Sequence, residues 1–176
     1  MHAVRRELVE AQAARIGLPL WPVELPWPCP NGEYESRMLE AWRCAVSDGI
    51  ANVAFGDLFL ADIRAYRERQ IKDTGLNPVF PVWQIPTAQL ARELLEAGVK
   101  AKVTCIDRRK LDASFAGREY DAAFLTDLPA GIDPCGENGE FHTFVYDSPD
   151  FAGPIPVLAG AVIRRDGFVF ADLTPA

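Results

Sequence analysis

The stretch Thr87–Cys105, TAQLARELLEAGVKAKVTC, carries two periodicities joined at one glycine. Before Gly98 the apolar residues Leu90, Ala91, Leu94 and Leu95 recur at helical spacing, with Thr87 as the cap and Gly98 as the stop. After it, Val99, Ala101, Val103 and Cys105 alternate with Lys100, Lys102 and Thr104, the pattern of a strand with one wetter face. A helix running directly into a strand is half of a crossover unit.

The same rhythm extends upstream. Asn31 caps a helix whose Tyr34, Met38, Ala41, Trp42 and Ala45 share a face and whose stop is Gly49. Ile50–Phe55 then reads as a short buried parallel strand, and Asp57 as the cap of a helix passing through Asp62, Arg64, Tyr66 and Glu68 to about Asp73. Pro78-Val79-Phe80 is a brief extension before the opening stretch. This order predicts an α/β fold with a mainly parallel sheet between helices. Val4–Ile16 reads as a further helix, Leu20–Leu25 as a short strand and Glu119–Leu125 as a short helix. At the far end Val157–Ile163 and Phe168–Leu173 flank Arg165-Asp166-Gly167, and the Asp-Gly pair predicts a C-terminal β-hairpin.

With 176 residues, 49% of them hydrophobic and 24% charged, the chain can bury one sizeable core, so a single domain over 1–176 is expected. No run of eighteen apolar residues occurs, and Arg5, Arg6, Glu7 and Glu10 interrupt any signal-peptide core, which makes the cytoplasm the default compartment and a membrane partner unexpected. A net charge of -7 argues against nucleic acid as a partner. That charge is concentrated: Asp112–Asp150 holds nine acids against one base, Arg118, a net of -8. Such a segment is either a set of solvated loops or a site for a metal ion or a cationic substrate. Cys29, Cys44, Cys105 and Cys135 lack Cys-x-x-Cys spacing, and only His2 and His142 could join them, so reduced thiols are expected rather than zinc ligands. Cys135 is the one candidate for a catalytic thiol.

Two places could hold chemistry. Phe55-Gly56-Asp57-Leu58 lies where a parallel strand ends, the position at which open sheets bind ligands. Gly56 there permits close backbone approach, and Asp57 holds a metal, holds a hydroxyl or caps a helix. Arg64 and Arg67, one turn apart, either bind a phosphate or pair with Asp62 or Glu68. The second place, Asp133-Pro134-Cys135-Gly136-Glu137-Asn138-Gly139-Glu140-Phe141-His142-Thr143, packs carboxylates, an amide, an imidazole and a hydroxyl between glycines. If Glu140–Thr143 is extended, Glu140 and His142 share a face and can carry protons or position an amine, while Phe141 turns to the core. Otherwise Asn138-Gly139 is a plain turn with its charges in water. Gly-x-x-x-x-Gly-Lys-Ser/Thr, Gly-x-Gly-x-x-Gly, Gly-x-Ser-x-Gly and His-Glu-x-x-His are all absent from the sequence.

Gly56–Glu68, GDLFLADIRAYRE, and Cys135–Thr143, CGENGEFHT, resemble the signatures of the diphthine-ammonia ligase type of PP-loop ATP pyrophosphatases. Ser114–Arg118 and the closing hairpin are also similar to that family. The resemblance implies an adenine nucleotide alpha-hydrolase-like fold that binds ATP and Mg2+. It also implies adenylation of a carboxylate, release of pyrophosphate, and displacement of AMP by ammonia to give an amide. It places Gly56 and Asp57 at the nucleotide, with Asp57 towards the metal. It places Glu137, Glu140 and His142 as catalytic groups, and Asn138, Gly139, Thr143 and Arg64 as substrate-binding groups. An acidic pocket would suit the fixed trimethylammonium cation of diphthine on a protein acceptor. On this reading residues 1–110 form the nucleotide part and 111–176 the acceptor side. The family's Ser-Gly-Gly-Lys-Asp-Ser-like phosphate loop has no equivalent in the sequence. Met1–Arg5 resembles an internal stretch of longer relatives, so the fold is expected to be N-terminally incomplete, with a partner or second copy over the exposed sheet edge. Two functions follow: an ATP-dependent amide-forming ligase, or a catalytically silent binding module.

Overall fold

The computed structural model describes residues 4–176, and His2 and the other opening residues lie outside it. The elements are α1 (Arg6–Ile16), α2 (Asn31–Ser47), β1 (Asn52–Ala54), α3 (Ala61–Ile71), β2 (Asn77–Val79), α4 (Thr87–Glu96), β3 (Lys100–Asp107), α5 (Ala122–Asp127), β4 (Phe141–Asp147), β5 (Val157–Arg165) and β6 (Phe168–Pro175). They divide into two compact units. One comprises Trp21–Ile85, and the other the described residues up to Leu20 together with Pro86–Ala176.

In the unit Trp21–Ile85, β1 and β2 pair in parallel, Val53 opposite Pro78. Ala45, Ile71 and Leu76 form its core, with Trp42, Val53 and Phe55 packed against them. The α/β class and the parallel pairing are as expected, but β1 is shorter than Ile50–Phe55 and only half-buried at Val53. A two-stranded pair leaves a face of each strand in water, so the apolar run does not become an enclosed strand.

The larger unit holds a four-stranded sheet in the order β4-β3-β6-β5, antiparallel throughout. Here the expectation of a mainly parallel sheet needs correction: β3 was to continue the parallel set and instead runs antiparallel to both neighbours. The alternation Lys100-Ala-Lys-Val fits this outcome, because antiparallel strands tolerate one wet edge of side chains where doubly covered parallel strands do not. One side is sealed by Val103, Ile106, Val169, Phe141, Phe115, Tyr120 and Phe124, with Ala91 from α4. A second cluster, Phe144, Ile155 and Leu173, receives Leu8 from α1. Each such fully buried side chain contributes roughly 1.5–3 kcal/mol relative to exposure. The hairpin β5–β6 turns at Asp166-Gly167, both at positive φ (52° and 84°), as the Asp-Gly pair requires. Leu20–Leu25 forms no strand, since Pro19, Pro22 and Pro26 remove ladder donors. No helix among the described residues is long and apolar enough to cross a membrane.

Candidate functional site

In the unit Trp21–Ile85 the expected strand-end site has a definite shape. Phe55 and Phe80, directly beyond β1 and β2, stack with centroids 5.5 Å apart, and Trp83 meets Phe80 edge-on at 6.1 Å. The α3 arginines lie over these rings: Arg64 is 4.6 Å from the Phe80 centroid and 4.8 Å from Trp83, and Arg67 is 5.3 Å from Phe55. These rings are thus platforms for two guanidinium groups. Arg64 also pairs with Glu68 at 2.9 Å, and Arg67 donates to the Tyr34 hydroxyl at 3.2 Å. Beside Arg67 opens a cavity of about 410 Å³ lined by Cys29, Asn31, Tyr34, Ile63 and Tyr66.

Asp57 is not a helix cap, which corrects one of its readings. Leu58 is buried and its carbonyl accepts from the Gln84 backbone at 2.7 Å, so the chain stays extended until α3 starts at Ala61 behind Leu60. Asp57 instead faces Arg67, with 3.9 Å between Oδ2 and Nε, too far for a hydrogen bond. Both of those atoms are buried without a partner. An unpaired buried carboxylate oxygen beside an unpaired N–H is unfavourable as it stands, and it fits a polar group inserted between them. Gly56 has open space where a side chain would be. Among the described residues no three His, Cys, Asp or Glu side chains converge into a metal cage.

In the other unit, the charge of Asp112–Asp150 is largely committed. Asp112 and Asp121 cap short helices through the Ser114 and Phe124 amides. Glu119 pairs with Lys102, Asp127 with Arg118 and Asp147 with Lys100. What remains as a local concentration is the turn Asp133–Glu140. It is built around two buried carboxylates. Asp133 Oδ2 accepts from the Glu137 amide at 2.8 Å, and its carbonyl accepts from Gly136 at 2.9 Å. Gly136 has φ +71°, and a Cβ there would lie 2.7 Å from the Phe141 carbonyl oxygen, so only glycine fits. Glu140, 2% exposed, turns back into this loop: Oε1 accepts from the Asp133 amide at 3.2 Å and the Asn138 side chain at 3.0 Å. Its Oε2 is buried with no partner.

The turn at Asn138-Gly139 therefore exists, but the charges at its base do not face water. Nor does Glu140 stand on a strand face beside His142, because β4 begins one residue later and the carboxylate is claimed by the loop. His142 is half-buried opposite Cys105, and Thr143 lies opposite Val103, with Phe141 in the core as expected. Lys110 reaches in to donate to the Asn138 carbonyl at 2.5 Å. Behind it Asp107, 2% exposed, holds Arg109 through both carboxylate oxygens at 2.7–3.2 Å, and this contact keeps the Asp107 carboxyl below the usual range. Asp107 is not marked by any motif in the sequence. Its only signal is an acid at the end of a strand followed by three cations. All four cysteines are free thiols. Burial, with Asp133 and Glu137 nearby, pushes the Cys135 thiol up to about 11, so it is a poor nucleophile near neutrality.

Residues 86–167 match the family described as the diphthamide synthase C-terminal domain. This span contains the whole Asp133–Thr143 loop. Over that span the chain is similar to the diphthamide synthase C-terminal domain. Human diphthine–ammonia ligase is 30% identical to it over 120 residues, covering 65% of this chain and 45% of the human protein. The bovine protein of the same name is 29% identical over 120 residues, and the mouse protein 27% over 129 residues, covering 48% of its length. The chain spans about half the length of these relatives. Within the matched span lie Glu137, Asn138, Gly139, Glu140, His142 and Thr143. Gly56, Asp57 and Arg64 precede it.

Proposed function

We propose that this chain takes part in an ATP-dependent ligation of the diphthine–ammonia ligase type, with the Asp133–Thr143 loop receiving the carboxylate-bearing acceptor. The observation that carries this reading is Glu140: a fully buried carboxylate inside the matched domain, with one oxygen bonded to its own loop and the other lacking any partner. A buried unpaired carboxylate oxygen calls for a cation or an N–H donor. Diphthine offers the first and ammonia the second. In this reading residues 111–176 supply the acceptor side and residues 1–110 the nucleotide side.

The chemistry balances simply. An acceptor carboxylate oxygen attacks the α-phosphorus of ATP and pyrophosphate leaves. Ammonia then attacks the acyl carbon, AMP leaves, and the nitrogen loses a proton. Glu140, together with Glu137 and His142 of the same segment, would position the amine and take that proton. Asn138, Gly139 and Thr143 would contact the acceptor. Gly56 and Asp57 would meet the nucleotide, with Arg64 and Arg67 held on their aromatic platforms for its phosphates. With no cage of three ligands among the described residues, Mg2+ would come on the phosphates, with Asp57 offering a single oxygen.

Glu140→Gln tests the reading, because it keeps an acceptor oxygen for the loop bonds and removes the charge. The expected result is at least tenfold weaker binding of a peptide carrying diphthine, measured calorimetrically, with the melting temperature of the chain preserved. Unchanged peptide affinity would overturn the assignment of Glu140. Conversion of ATP to AMP in the presence of acceptor and ammonium separates ligase from silent module, and acceptor binding without AMP formation would favour the module.

A further inference from the structure

The strand β5 ends the sheet order, and no described strand pairs with its outer edge. Edge strands are normally blunted by charge, proline or brevity. This one spans nine residues, and from Val157 to Ile163 it carries no charge and no proline. Its apolar side chains are unusually wet: Leu158 is 56% exposed, Val162 61% and Ile163 54%.

The register against β6 contains one irregularity. Ala159 lies opposite Leu173 and Val162 opposite Ala171, so Gly160 and Ala161 share the single position of Asp172. The extra residue is a bulge, and it resets which side chains share a face. Leu173 and Ala171 are two apart on β6 and point the same way, so Ala159 and Val162 share one face of β5. Leu158, opposite Thr174, and Ile163, opposite Phe170, share the other.

We propose that β5 is the interface of a two-fold homodimer, pairing antiparallel with β5 of a second copy about a dyad between Gly160 and Ala161. In an unbulged strand, a dyad between two residues would oppose side chains from different faces, and the pairing would fail. The bulge removes that conflict. Leu158 then meets Ile163 of the second copy on one face, and Ala159 meets Val162 of the second copy on the other. Each exposed apolar residue thereby finds an apolar partner, and each contact occurs twice, as a two-fold interface requires. At the centre Gly160 has little room for a side chain, since a Cβ there would lie 3.0 Å from the Asp172 carboxylate. Arg164 and Arg165 fall beyond the apolar segment, opposite Val157 and Pro156. The Arg164 residues of the two copies then lie on the order of 20 Å apart, more than twice the screening length at physiological salt. An unrelated peptide would match this edge only by repeating the sequence class on both sides of the bulge, which a second copy does by construction.

Sedimentation equilibrium of the full chain across about 1–500 μM provides the test. The apparent mass is expected to rise from 19.4 kDa to a plateau at twice that value. Val162→Lys, and separately Leu158→Lys, should weaken the association at least tenfold while leaving the circular dichroism melt in place, because both positions are exposed. If either lysine variant fails to fold, the other decides. Hydrogen exchange at low and high concentration should show added protection at residues 157–163. A monomer at every concentration overturns the proposal. So does a dimer that both lysine variants leave intact, protection confined to another surface, or open-ended growth past the dimer.

Discussion

Cys135 shows how a single residue reports its surroundings. Its thiol sits among Asp133, Glu137 and the Tyr120 phenol, and burial and these acids raise it to about 11, while burial raises Tyr120 as well. The ordinary value for a thiol outside these surroundings is 9.0. Between those two values the folded state holds a proton that the unfolded state has released, so stability is lost as pH rises from about 9 towards 11. Melts recorded from pH 7 to 11 should therefore fall off on the alkaline side, and the fall should be shallower in Cys135→Ala. Alkylation of Cys135 by iodoacetamide in the folded chain should stay slow at pH 8 and accelerate towards pH 11. Rapid labelling at pH 7 would show instead an activated thiol and reopen a catalytic role for it.

Among the elements, α1 illustrates what tertiary burial adds to a weak helical pattern. Its Leu8 is completely buried against Phe144, Ile155 and Leu173, whereas its salt link, Arg5 to Asp172 at 2.7 and 3.0 Å, joins two partly exposed groups. The apolar contact dominates: Leu8→Ala should cost roughly 2–4 kcal/mol, against about 1 kcal/mol or less for Arg5→Ala. Urea unfolding of the two variants measures the difference, and equal losses would show that the ion pair anchors the helix. The same scale separates what was legible in the sequence from what was not. Helices α2 and α4 and the β5–β6 hairpin were legible because periodicity, glycine stops and an Asp-Gly turn are local. The partner direction of β3 was not, because alternation fixes a face and not a neighbour. The cap alternative for Asp57 fails because the contact that delays α3, Gln84 to Leu58, joins residues 26 positions apart. At the loop, the residue types around Glu140 were evident, but its inward turn depends on amides of Asp133 and Asn138 that no spacing rule supplies.

Across the whole molecule, the two units differ in how much holds each together. The unit with β3–β6 has a four-stranded sheet and two buried clusters. The unit Trp21–Ile85 rests on Ala45, Ile71 and Leu76 and on two three-residue strands. A two-stranded pair is marginal unless helices cover it, and local opening follows such differences in burial. Amides of β1 and β2 should thus exchange with deuterium at least 100-fold faster than those of β3 and β6. Ligand binding protects the unit it occupies by mass action. If the nucleotide meets Gly56 and Asp57 as proposed, ATP at a hundred times its dissociation constant should slow exchange selectively at residues 55–58 and through α3, by roughly a hundredfold. Slowing confined to the Asp133–Thr143 loop would move the nucleotide to the other unit. No slowing anywhere, at ATP concentrations up to 10 mM, would remove Asp57 and its unpaired oxygen from any nucleotide site and leave the Asp133–Thr143 loop as the ligand site still proposed.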